Sequence, residues 1–170
     1  MNKWYRLDNA AKVFPSVTSR RRSNIFRLSI TLKEEVDPNI LQTALEETIN
    51  RFPSFKVKLK RGFFWFYFEE NGEIPKVSEE TPYVCEKLNF RAQQRYLFRL
   101  TYYHQRISLE IFHALTDGSG AMEFLKAIVY KYLLLKGKPV KPEKIILTDI
   151  ETRNEEAQDS FVQNYSSKVK

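Results

Sequence analysis

The sequence predicts an α+β fold: a mixed, mostly antiparallel sheet with two main helices packed on it. Three observations predict it. Several short stretches alternate apolar and polar residues, two longer stretches place apolar residues at helical spacing, and the strand-like stretches cluster between the helices instead of alternating with them one for one. That order, strand, helix, hairpin, strands, helix, excludes a doubly wound parallel sheet.

The first alternating stretch runs from Ile25 to Leu32, with Phe26, Leu28, Ile30 and Leu32 on one face and polar side chains mostly on the other, as in a half-buried strand. Asp37 before Pro38 is an N-cap followed by proline at the first helical position. Ile40, Leu41, Ala44, Leu45, Thr48, Ile49 and Phe52 then follow at helical spacing up to Pro53. Phe55, Val57 and Leu59 alternate again, Arg61-Gly62 forms a turn, and the aromatic run Phe63 to Phe68 returns as the second strand of a hairpin. A strand apolar on both sides is covered on both faces or borders an interface, so exposure of this run favours self-association into a homo-oligomer. Gly72 to Thr81, interrupted by Pro75, reads as irregular, and Tyr83 to Leu88 as a short strand. Leu97 to Tyr103 and Arg106 to His113 form a second hairpin about His104-Gln105. Met122, Phe124, Leu125, Ile128, Val129, Tyr132 and Leu133 mark a helix that stops near Gly137, before Pro139.

With 170 residues the chain accommodates one domain. Residues 1–147 form that domain, and 148–170, polar and poor in large apolar residues, read as a linker. Thirteen Phe and nine Tyr predict a core built partly from rings. The one cysteine, Cys85, excludes an intramolecular disulfide and reads as a small buried hydrophobe in its strand, with no histidine placed by sequence to activate it. No run is long enough to span a membrane, and no apolar stretch follows Lys3 as in a secretory signal, so a cytoplasmic location is expected.

A net charge of +7 is compatible with phosphates or nucleic acid, but the densest cluster, Arg20-Arg21-Arg22, carries no interleaved aromatics and reads as a solvated loop. No nucleic acid partner is therefore assigned. Two histidines and one cysteine are too few for a standard zinc site, so no metal is expected. Five glycines form no phosphate-cradling loop.

The remaining chemistry concentrates at His113, Asp117 and Gly118. A histidine ending an apolar strand stands at the rim of a sheet, Gly118 allows a tight turn, and Asp117 lies close enough in sequence to brace it. The bland alternative is a histidine satisfied in the core or at the surface. His104, in a polar hairpin turn, reads as solvated.

The pattern His113-x-x-x-Asp117-Gly118, with a hairpin before it and Ser119-Gly120 and a long helix after it, resembles the chloramphenicol acetyltransferase-like superfamily of CoA-dependent acyltransferases. The upstream strand, Asp-Pro helix and Phe52-Pro53-Ser54-Phe55 segment are similar to that family's first half. Many relatives carry a second histidine immediately before the first; here Phe112 stands in its place, a departure from the peptide-synthetase condensation group that fits alcohol acetyltransferase-like proteins. The resemblance implies that His113 is the general base, that Asp117 pairs with an arginine and holds the loop, and that Gly118 is a backbone hinge. It also implies acyl-CoA (acetyl-CoA) as co-substrate, a small alcohol or amine acceptor, no permanently bound cofactor, and a C-terminal half beyond this chain. A non-catalytic module of the same fold, holding a partner protein or hydrophobic ligand, is the rival reading.

Overall fold

A computed structural model describes residues 4–6, 23–63, 66–89 and 94–140, with backbone only for 4–6. The arginine cluster at 20–22 and the linker at 148–170 lie outside the described residues. In chain order the elements are β1 (Trp4–Arg6), β2 (Ile25–Thr31), α1 (Pro38–Ile49), β3 (Val57–Arg61), β4 (Phe66–Glu70), β5 (Val77–Glu79), β6 (Phe98–Tyr103), β7 (Arg106–Phe112) and α2 (Gly118–Leu135). The architecture is α+β, as expected.

Both helices begin and end for local reasons. Asp37 accepts from the backbone N–H groups of Asn39 (2.9 Å) and Ile40 (3.2 Å), satisfying two donors that lack intrahelical partners. α1 stops at Ile49, three residues earlier than expected. Pro53 disfavours helical geometry at Phe52, and the chain tightens into i→i−3 bonds, Arg51 N–H to Thr48 O and Phe52 N–H to Ile49 O. At the end of α2, Gly137 adopts φ 71°, so Lys138 N–H reaches Leu133 O (3.0 Å) and Gly137 N–H reaches Leu134 O (2.9 Å). This left-handed cap satisfies carbonyls that the helix would leave exposed.

The four-stranded sheet has the order β2-β7-β6-β5, antiparallel except for the β5–β6 pair, and a three-stranded antiparallel sheet has the order β1-β4-β3. α1 and α2 cover one face of the larger sheet. Leu41, Leu45, Phe124, Leu125 and Ile128 from the helices close over Leu100, Ile107, Leu109 and Ile111. Rings fill this core: Phe55 stacks on Phe124 at 4.2 Å between centroids, and Phe98 meets Phe124 edge-on at 5.3 Å. A smaller cluster, Val57, Leu88, Leu97, Phe112 and Ala114, joins the three-stranded sheet to the end of β7, with Phe66 and Phe68 packed against it.

Several local expectations are corrected. Phe55 lies in a turn before β3 and is buried in the main core. Tyr83 to Leu88 is not a strand: Cys85 takes φ 55°, which breaks extended geometry, and its N–H donates to the Glu110 carboxylate (3.0 Å) instead of a neighbouring backbone. The stretch Gly72 to Thr81 does contain a strand, β5. Gln42 of α1 anchors it, donating to Pro75 O and accepting from Val77 N–H, both at 2.8 Å. β1 carries no clear signal in the sequence. Of the aromatic run, Phe66 to Phe68 open β4, Phe63 sits in a bend with 90% of its surface exposed, and 64–65 lie outside the described residues.

Candidate functional site around His113

β7 delivers His113 one residue beyond its last paired position. Phe112 N–H donates to Leu97 O and His113 N–H to Asn24 O, both at 2.8 Å, so consecutive amides tie the strand end first to the β6 side and then to the β2 side. Phe112 and Ala114 are buried, while the intervening His113 side chain is exposed. The turn therefore holds the imidazole out between two anchors. Against it stands Phe26, ring centroids 4.8 Å apart and planes inclined by 51°.

Asp117 ends the turn and caps α2. Its side chain accepts from Gly120 N–H (2.9 Å) and its carbonyl from Ala121 N–H (3.1 Å). Among the described residues no arginine forms an ion pair with Asp117, and Arg20, Arg21, Arg22 and Arg91 lie outside them. A carboxylate already turned to the helix N-terminus is stabilised there by the free amides and the helix dipole. Gly118 opens α2. Its φ is not positive, and a Cβ added there would meet nothing within 4 Å, so neither backbone geometry nor the described packing demands glycine. At Gly120, in contrast, a Cβ would collide with the Thr116 hydroxyl.

Sequence reasoning missed a charged cluster three residues back along β7, on the face away from the helices. Glu110, 2% exposed, accepts from Arg27 Nη1 (3.3 Å), Arg99 Nε (2.6 Å) and Cys85 N–H. Glu80 accepts from Arg27 and from Arg106 Nη2 (2.9 Å). Burial alone would raise the Glu80 carboxyl, but hydrogen bonds from Arg27 and Arg106 and the charge of both hold it below its ordinary value. The Cys85 thiol is pushed up, by burial first and by the Glu110 charge second, so it is no activated nucleophile. The available signal was the alternation Arg106, Ser108, Glu110 along one face of β7, a pattern that reads equally well as a solvated face.

His104 is exposed at the far end of the β6–β7 hairpin, with φ 49° and Glu35 3.4 Å away. A shallow hollow of about 350 Å³ also lies at that far end, lined by Leu32, Lys33, Tyr132, Leu133 and Lys136. Neither adjoins His113. Among the described residues no helix is long and apolar enough to cross a membrane, and no group of three or more His, Cys, Asp or Glu could hold a metal ion.

No protein-family model and no curated protein matches the sequence. Solved structures do match. The starter condensation domain of rhizomide synthetase RzmA superposes with a TM-score of 0.62 at 12% identity, over 83% of this chain and 40% of that one. The fold is that of the N-terminal part of a condensation domain. SgcC5 from Streptomyces globisporus (TM-score 0.55, 14% identity) and polyketide synthase associated protein 5 from Mycobacterium tuberculosis (0.57, 15%) each match over 81% of this chain and over 38% and 35% of their own. The chain thus spans about two fifths of the length of these proteins. Structures of RzmA variants include complexes with C8-CoA. At such identities the likeness establishes the fold and leaves the subgroup open, Phe112 notwithstanding.

Proposed function

We propose that the chain is the N-terminal half of a cytoplasmic CoA-dependent acyltransferase, with His113 as general base, that acts on a small alcohol, an amine being the alternative acceptor. The observation that carries this reading is an exposed imidazole held at the sheet margin within a His-x-x-x-Asp-Gly turn, on a fold shared with a domain crystallised with an acyl-CoA. His113 removes the proton of the acceptor hydroxyl as its oxygen attacks the thioester carbonyl. The C–S bond then breaks, and the imidazolium returns the proton to the departing CoA thiolate. Atoms and charge balance without a covalent enzyme intermediate.

Asp117 and Gly118 shape the turn, and the open side of His113 is where a second half would complete a channel for acyl-CoA and acceptor. Acetyl-CoA is the donor implied by the alcohol acetyltransferase resemblance, and the neighbour's C8-CoA makes octanoyl-CoA the second donor to try. Apolar surface such as Phe63 favours association with that half or with another copy.

The test is CoA release by the complete natural reading frame from acetyl-CoA and octanoyl-CoA, with a panel of small alcohols and amines. His113→Ala should lower the rate by about 100-fold to 10,000-fold, the contribution of a positioned proton acceptor. Equal rates in the two proteins would remove His113 from the chemistry. Tight acyl-CoA binding without transfer would favour the non-catalytic module.

A further inference from the structure

At the end of the sheet remote from His113, the chain leaving β2 and the last turn of α2 stand apart. Leu32 N–H donates to Gln105 O (2.8 Å) and Val36 N–H to His104 O (2.9 Å), so the β6–β7 turn fixes both ends of Lys33-Glu34-Glu35, which lie exposed between them. On the other side α2 ends at the left-handed Gly137, and Lys138 Nζ reaches Glu34 Oε1 (2.5 Å), tying the two sides together. Between them lies the hollow of about 350 Å³, with Leu32, Tyr132 and Leu133 as its apolar lining. The core sets these positions. Leu32 and Leu133 pack against the main cluster, and the Tyr132 hydroxyl accepts from Asp37 N–H (2.9 Å).

Lys33, Glu34, Glu35, Lys136 and Lys138 line the hollow beside these apolar residues. Their charges do not cancel pair by pair. Lys138 is committed to Glu34, and Glu35 stands 3.4 Å from His104 Nδ1. Lys136 acts on Glu34 only through its charge, and among the described residues no carboxylate lies within ion-pair distance of Lys33 or Lys136. We propose that the hollow binds a free medium-chain carboxylate, its alkyl chain against Leu32, Tyr132 and Leu133 and its head taken by Lys33 and Lys136. The volume is at the lower end of small-molecule pockets and suits one short chain. Flexible four-carbon stems let both ammonium groups follow the head of such a ligand. Glu34 and Glu35 beside them disfavour an anionic bilayer, which would press further negative charge against both carboxylates. The site is separate from His113 and does not rest on acyl transfer there.

The test is titration of the 170-residue chain with hexanoate, octanoate and decanoate, each below the concentration at which it forms micelles, followed by methyl NMR. The Leu32 and Leu133 methyl signals should shift, while those of Leu109, sealed in the core, stay in place. Affinity should rise by up to about fourfold for each added methylene until the hollow is full. Octanol and octylamine, with the same chain and no negative head, should bind at least about 10-fold more weakly than octanoate. Lys33→Met/Lys136→Met keeps the apolar stems and removes both charges. It should weaken octanoate by about 10-fold, leave octanol binding unchanged and leave the melting temperature within a degree or so of the wild type. Unmoved methyl signals, octanol binding as tightly as octanoate, or a double variant that binds octanoate normally would each overturn the proposal. So would co-flotation of the chain with phosphatidylglycerol vesicles in the absence of any octanoate shift, which would assign the hollow to a membrane surface. Shifts that follow protein concentration instead of octanoate would assign it to a second copy of the chain.

Discussion

The two faces of the four-stranded sheet use the same strands in the same register and reach opposite solutions. Towards the helices, Phe26, Ile111 and Phe98 form one row across β2, β7 and β6, with Leu28, Leu109 and Leu100 in the next. Away from the helices the corresponding rows are Arg27, Glu110 and Arg99, then Ser29, Ser108 and Thr101. The apolar face needs volume and shape, which many residue combinations supply. The charged face needs each partner in place, because a buried carboxylate between two guanidinium groups has no tolerable substitute for a missing member.

The largest expected effect breaks that comparison at its centre. Glu110→Ala leaves Arg27 and Arg99 facing one another beneath the 80–88 segment, and also removes the acceptor of Cys85 N–H. It should cost about 3–5 kcal/mol by urea denaturation, at least as much as the roughly 2–5 kcal/mol expected for Leu109→Ala on the apolar face. A loss below about 1 kcal/mol would mean that water reaches the cluster and screens it as on a surface.

Acid sharpens the same contrast. The Glu80 carboxyl is held low by Arg27 and Arg106 against the opposing effect of burial. Its contribution is therefore present above the ordinary carboxylate value of 4.5 and is lost as pH falls through its depressed folded-state value. Urea midpoints of the wild type should fall on acidification more than those of Glu80→Gln, measured at high salt to screen the exposed pairs at Glu34 and Glu69. Parallel profiles would show that Glu80 titrates alike in both states.

The difference between the faces also explains which features were legible in the sequence. The strand at Ile25 to Leu32 and the Asp37-Pro38 helix start declare themselves through alternation and capping, both local signals. β5 did not, because its three residues depend on parallel pairing with β6 and on Gln42 from α1. The Arg27–Glu110–Arg99 row was equally hidden: Arg27 and Glu110 are 83 positions apart, and only register joins them. At the candidate site, His113, Asp117 and Gly118 are singled out by the resemblance of their pattern together with its flanking hairpin and helix, since the spacing alone is a weak signal. Their surroundings could not, since Phe26 and Asn24 reach His113 through the same long-range pairing.

The smallest expected effect concerns the motif's glycine. Gly118 is the first residue of α2, takes no left-handed backbone, and has open space where a Cβ would stand. Gly118→Ala should therefore stabilise this chain by about 0.4–1 kcal/mol, chiefly by restricting the unfolded state. A destabilisation of similar size would favour the hinge role that the resemblance implies. The informative case is a complete protein that gains stability with this substitution and loses acyl transfer. The methyl group would then be obstructing something absent from the described residues, a substrate or the facing half, and glycine would be required by the channel and not by the turn.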